Sequence, residues 1–408
     1  MVEQAESSNG AGASTGHTYE ERPPTHQPRV KAQKFTKEQQ EKRARQQQYS
    51  AEVLKGWKKR REDRRNALLV RENAVRAATK EYQKLDRHEL EDIRIRTPFV
   101  RLEQKRPQRI PGQQYVRDDD LNTRPPATRL INRKNSALRL LMSAIYVAHL
   151  EAEPGKVYTN KRPNVFAEQE FAPWWKLCGQ HVAASVGRTN REHGRALNRA
   201  LSLLRDLEIV EAGPGTVAGR YKNWILKSED RSGHRYRVPA ERRSQETVRV
   251  PREFFARGWH LVLEPGEIAT FLAIIELTQR LTVKTRSSSK DVGVALGEKV
   301  RWEQYGLSED TYLEAIHALE EFGLIDVVDP MPNRRRGKVS PSENINPVEE
   351  GQSDEQIPYR VVFPAASVKT RYAADAVDVV LSRLAYPVPF WLEDLPVDDR
   401  VYARVFGK

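Results

Sequence analysis

The sequence predicts a mainly α protein with small β-wings. One unit of helix, turn, helix and two-stranded ribbon occurs twice in tandem, behind a polar tail and a long basic helix. Three observations carry this reading. First, Leu197, Ala200, Leu201, Leu204 and Leu207 recur in steps of three and four, which places them on one helix face. Arg195, Arg199 and Ser202 fall on the opposite face, joined by Arg188 and Arg191 if the helix starts early. Second, Ile209 and Val210 begin an extended run, Gly213 to Gly219 reads as a hairpin tip, and 221–226 returns as a second strand. Third, Tyr312, Ala315, Ile316, Leu319, Phe322 and Leu324 repeat Leu197, Ala200, Leu201, Leu204, Leu207 and Ile209 without a gap.

In chain order, residues 1–34 are rich in Ser, Gly, Pro, Gln and charge. They hold too little apolar surface to offset ordering entropy and are expected to be disordered. Over 35–93 prolines vanish and Glu, Lys, Arg, Gln and Ala dominate, which favours a basic helical arm. Its apolar residues keep no strict heptad, which argues against a sustained coiled coil. Residues 55–65 hold the densest basic cluster, with Lys58, Lys59, Arg60, Arg61, Arg64 and Arg65. Two readings stand for it: a grip on phosphate backbone that adds affinity without sequence information, or a solvated helix with idle charges. Residues 94–131 carry Pro98, Pro107, Pro111, Pro125 and Pro126 and read as an extended linker.

The first unit spans 132–227. It opens on a helix with Leu138, Leu141, Met142, Ile145 and His149 along one stripe, followed by Phe171, Trp174, Trp175 and Leu177 as core. A short helix over 180–186 and a turn at Gly187 lead to the long helix, which Thr189 or Asn190 can cap. Residues 228–247 form a basic linker. The second unit spans 248–363. A short strand at 248–251 precedes an apolar knot of Phe254, Phe255 and Trp259. Pro265 suits the first turn of the next helix, where its missing N–H is harmless. Ser308 caps a long helix over 308–322, and strand 324–328 finds a return partner at 359–363. The loop between them carries Arg334, Arg335, Arg336 and Lys338. The tail, 364–408, holds one more helix over 372–384.

With 69 Lys+Arg against 56 Asp+Glu, the clustered charge favours a polyanionic partner, nucleic acid before a membrane surface. The longest apolar run, near Leu138–Leu150, is short of the roughly 20 residues of a membrane span. No signal peptide precedes it. A single cysteine, Cys178, excludes an internal disulfide and fits the cytoplasm. No cofactor or metal is expected: there is no paired-histidine metal spacing and no thiolate cluster. Gly293 to Lys299 falls one residue short of a phosphate loop and lacks its Ser/Thr. The chain is not expected to be an enzyme.

The two long helices differ in charge. The second turns Asp310, Glu314, His317 and Glu321 outward, and its carboxylates repel phosphate. The first is therefore the nucleic-acid reader, and the second serves contact with a partner protein or a second copy, while its arginine-rich loop touches backbone. The run Trp302-Glu-Gln-Tyr-Gly-Leu-Ser-Glu-Asp-Thr-Tyr-Leu-Glu-Ala-Ile-His-Ala-Leu-Glu-Glu-Phe-Gly-Leu-Ile resembles the winged helix-turn-helix superfamily, with its turn glycine, capping Ser, Leu-rich helix and closing Gly-Leu-Ile. Two such units in tandem resemble plasmid-type replication initiators. The resemblance implies a site-specific double-stranded DNA-binding protein that initiates or controls replication; a transcriptional regulator is the alternative, and a nonspecific basic structural or RNA-associated protein a further one. Arg195, Arg199 and Ser202 are then expected at base edges. Asn190 and Arg191 touch bases or phosphates, and Arg220 and Lys222 bind phosphate or the minor groove.

Overall fold

No proline interrupts the helix formers between residues 37 and 85, and the chain forms one 49-residue helix there, α1 (Lys37–Leu85). The computed structural model describes residues 37–85, 90–106, 123–131, 137–164, 171–180, 189–213, 219–241, 246–285, 293–328, 360–363 and 372–386. The tail expected to be disordered, 1–34, lies outside them. The chain divides into two units, 1–48 and 49–408. The described part of the first is the opening turns of α1, and all other described elements belong to the second.

After α1 come β1 (Asp92–Arg96), α2 (Thr97–Val100), α3 (Pro126–Arg129), α4 (Ala137–Glu151), α5 (Trp174–Leu177), α6 (Thr189–Asp206), β2 (Val210–Glu211) and β3 (Ile225–Leu226). Then follow β4 (Thr247–Pro251), α7 (Arg252–Ala256), α8 (Trp259–Val262), α9 (Pro265–Thr285), α10 (Glu298–Tyr305), α11 (Glu309–Glu321), β5 (Asp326–Val328), β6 (Arg360–Val362) and α12 (Ala376–Leu384). The fold is mainly helical. Its strands pair as three antiparallel ribbons, β1 with β4, β2 with β3, and β5 with β6.

The buried stripe of α1 corrects the sequence reading. Leu54, Arg61, Leu68, Val75 and Tyr82 are all buried and lie seven residues apart. Trp57, Arg64, Arg71, Ala78 and Leu85 follow each by three and are buried or half-buried. A heptad is therefore present. An apolar count misses it because Arg61, Arg64 and Arg71 occupy seam positions. Arg71 donates to the carbonyls of Gly179 (3.3 Å) and Leu261 (3.1 Å). The helix passes close beneath Gly258, whose φ is 81° and where a Cβ would lie 2.9 Å from Thr79 Cγ2, too close for a side chain.

The expected linker over 94–131 is packed over most of its described length, with Glu103, Gln104, Lys105 and Thr123 exposed. Ile93 pairs opposite Val250 and Ile95 opposite Val248, all four buried. Pro98 and Pro126 open α2 and α3 instead of extending the chain, because proline's fixed φ suits a first helical turn. Both edges of the β1–β4 ribbon are closed by side chains, which blocks further strand pairing. The N–H of Arg94 donates to His149 Nε2 (3.3 Å) and that of Arg96 to Glu229 Oε1 (2.8 Å). On the other edge the Gln279 amide meets the N–H (3.0 Å) and C=O (2.7 Å) of Arg249. The basic linker over 228–247 is thereby drawn inward: Glu229, Tyr236 and Val238 are buried, and Tyr236 pairs with Leu226 through its N–H (2.9 Å).

The hydrophobic core runs unbroken from Leu68 to Leu384. The apolar knot joins its halves: Phe255 stacks on Tyr146 of α4 (5.0 Å) and Phe254 on Phe271 of α9 (4.8 Å). Among the described residues, no helix is long and apolar enough to cross a membrane.

Two core histidines are kept neutral. His149 donates from Nδ1 to the Ile145 carbonyl (2.8 Å), and burial lowers its pKa to about 4. His260 lies 3.3 Å from both Tyr82 Oη and Ser143 Oγ, and burial lowers it to about 3. The unfolded chain protonates each near its ordinary value of about 6.5. Their contribution is therefore complete above that pH and is lost as pH falls toward the folded values. Urea denaturation is expected to show about 2 kcal/mol less stability per histidine at pH 5 than at pH 7. Unchanged stability would contradict the neutral assignment.

Candidate nucleic-acid interface

Amphipathic spacing shapes α6. Leu197, Ala200, Leu201 and Leu204 are buried. Nearer its start, His193 is buried and stacks on Trp175 of α5 (4.3 Å, 15°). Arg195, Asn198 and Arg199 are exposed on the far side and Ser202 is half-buried there. Among the described residues, neither Arg195 nor Arg199 has an ion-pair partner. The backbone of Asn190 and Arg191 belongs to α6, but their side chains lie outside the described residues, as do Arg188 and the expected short helix over 180–186.

The helix ends by turning through Glu208, at φ 61°, with the N–H of Ile209 donating to Leu204 (2.9 Å). That turn launches β2. Beyond it Gly213 N–H meets the Arg220 carbonyl (2.9 Å), and the tip at 214–218 lies outside the described residues. Arg220 lies over the Tyr221 ring (4.8 Å), and Lys222 is exposed. Two asparagines brace this ribbon against α5. Asn160 donates to the Trp224 carbonyl (3.1 Å) and accepts from Trp174 Nε1 (3.0 Å). Asn164 donates to the Tyr221 carbonyl (2.6 Å) and accepts from Trp224 Nε1 (3.0 Å). Neither asparagine carries a signal in the sequence, because both partners are distant.

The second unit repeats this junction. Ser308 caps α11, accepting from the Thr311 N–H (3.3 Å), and Gly306 makes the preceding turn at φ 63°. Tyr312, Ala315, Ile316, Leu319 and Phe322 are buried. Gly323, at φ 74°, stands where Glu208 does, and Leu324 N–H donates to Leu319 (2.8 Å) as Ile209 does to Leu204. The arginine-rich loop, with Arg334, Arg335, Arg336 and Lys338, lies outside the described residues.

What differs is the cover. The outward face of α11 meets α1 of the same chain. Arg61 pairs bidentately with Glu321 (2.9 and 2.7 Å), both side chains under a tenth exposed. It also donates to the Arg383 and Tyr386 carbonyls at the end of α12 (2.5 and 2.9 Å). Arg64 pairs bidentately with Glu267 (2.6 and 2.8 Å), which also accepts the Glu264 N–H (2.8 Å) and so caps α9. Burial disfavours the Arg64 charge, but the Glu267 carboxylate more than offsets it and holds the guanidinium above its ordinary value. Arg60 reaches Glu314 (3.5 Å) and lies over Trp57 (4.2 Å). A cavity of about 440 Å³ remains between α1, α11 and the start of α9, lined by Trp57, Arg60, Thr311, Glu314 and His317.

Of the basic cluster, Arg61 and Arg64 are thus consumed internally. Lys58 and Arg65 are half-buried, and Lys59 is exposed among Glu52, Glu62 and Asp63, which are exposed as well. The contacts of Arg60, Arg61 and Arg64 are with α9, α11 and the end of α12. Among the described residues no three His, Cys, Asp or Glu side chains gather as a metal site. Burial pushes the Cys178 thiol up to about 12, where it is inert. No protein family, curated protein or solved structure matches the chain.

Proposed function

We propose that this chain is a site-specific double-stranded DNA-binding protein of tandem winged helix-turn-helix form, acting by binding alone, and that it initiates or controls replication of a plasmid-like replicon. One observation carries the reading. Among the described residues, the chain holds two copies of one helix–ribbon unit, and of their two long helices α6 is the one with an open, cationic outer face. In the other copy that face is acidic, and the chain's own α1 buries its last carboxylate, Glu321, while Asp310 and Glu314 stay exposed. Arg195, Arg199 and Ser202 then enter the major groove, and Arg220 and Lys222 follow the backbone. The exposed carboxylates of α11, Asp310 and Glu314, are left for contact with a partner protein or a second copy, while Glu321 is already paired with Arg61. Replication rests on the tandem arrangement; transcription control uses the same contacts.

Duplex titration at a series of salt concentrations tests it. Binding to a pool of random duplexes is expected to weaken with salt, with a slope of about −0.9 per phosphate neutralised. No binding at about 0.1 M salt, or equal preference for single strands, would reject the proposal.

A further inference from the structure

Asn198 lies between Arg195 and Arg199 on the outer face of α6 and is exposed as they are. At about 100° per residue, Arg195, Asn198, Arg199 and Ser202 share an arc about 100° wide. Such a ridge fits a major groove about 12 Å across.

Nothing among the described residues accounts for the asparagine. Asparagine is among the weaker helix formers, up to about 0.7 kcal/mol below alanine. Within a helix its amide usually competes for local backbone groups. Here, among the described residues, its side chain has no hydrogen bond. The matching position in the second unit is Leu313, on the helix that α1 covers. An exposed amide therefore occurs only in the copy whose face is open. A residue that breaks local preference without an internal gain marks a place where something external is met.

The chemistry of the ridge identifies what is met. A carboxamide presents a donor beside an acceptor, the complement of adenine N7 and N6. A guanidinium fork complements guanine O6 and N7. A rise of about 1.5 Å per residue sets Arg195 and Arg199 about 6 Å apart. That is nearly two base-pair steps of about 3.4 Å. The two arginines therefore address different base pairs, with Asn198 at the opposite edge of the arc from Arg199 and next to Arg195 and Ser202. Carboxylates bound the ridge without entering it. Glu192 is half-buried one turn earlier, and Asp206 at the far end is held by Arg205 (3.0 Å).

We propose that Asn198 is a specificity-determining residue that reads an adenine, while Arg195 and Arg199 read guanines, within about three consecutive base pairs of one major groove. This rests on the DNA-binding proposal above. The test is selection of sites from random duplex DNA by the full chain, wild type and Asn198→Ala. Wild type is expected to enrich guanines with an adenine close by. Asn198→Ala should keep the guanines, lose the preference at the adenine, and bind the wild-type site about 5- to 150-fold more weakly. If Asn198→Ala enriches the same adenine, the assignment of Asn198 is overturned while DNA binding stands. If wild type enriches no motif, the DNA-reading proposal itself fails, and this inference with it.

Discussion

Arg61→Ala is expected to destabilise the protein by about 3–5 kcal/mol, the usual result of removing one member of a buried ion pair. The alanine leaves the Glu321 carboxylate 8% exposed and without its bidentate partner. It also removes the cation that closes the last carbonyls of α12, where a positive charge opposes the negative end of the helix dipole. The double variant Arg61→Met/Glu321→Met should recover most of the loss, because a well-packed apolar pair avoids desolvating two charges. Urea midpoints for wild type, single and double variants decide the matter. A single variant within about 1 kcal/mol of wild type would show that α1 is not fastened through Arg61.

Arg195→Glu is expected to abolish specific DNA binding and Glu314→Lys to leave it intact, although both reverse a charge on matching helices. Arg195→Glu replaces the guanidinium fork proposed to read bases by a group that repels phosphate. Even the milder Arg195→Ala/Arg199→Ala removes two contacts worth about 1–3 kcal/mol each, a loss of about 30- to 20,000-fold at the specific site. Glu314→Lys breaks only the exposed pair with Arg60, with side chains 59% and 63% exposed. Such pairs contribute about 0–1 kcal/mol, so stability and duplex affinity should both hold. Equal losses in both variants would dissolve the division between an open and a covered helix.

Much of the local structure was legible in the chain. The three-and-four spacing of Leu197, Ala200, Leu201 and Leu204 is a property of the helix itself, and so are the cap at Ser308, the turn at Gly306 and Pro265 opening α9. The repeat and the opposite charges of α6 and α11 were legible for the same reason, since both depend on periodicity within a few turns. The open face with Arg195 and Arg199 followed directly, although Asn198 did not stand out, because an exposed polar residue looks ordinary until its neighbours are known to offer it nothing.

Only the tertiary structure decided what the long-range partners do. β1 is too short to announce a strand, and its partner β4 begins about 150 residues later along the chain. The basic cluster of α1 was ambiguous between a phosphate grip and idle charge because Glu321 and Glu267 are distant in sequence, and a guanidinium counts as core only when its acceptors are buried with it. Periodicity determined which faces exist. Pairing between residues hundreds of positions apart decided which were covered, because desolvating an arginine is tolerable only where the fold delivers its counter-charge.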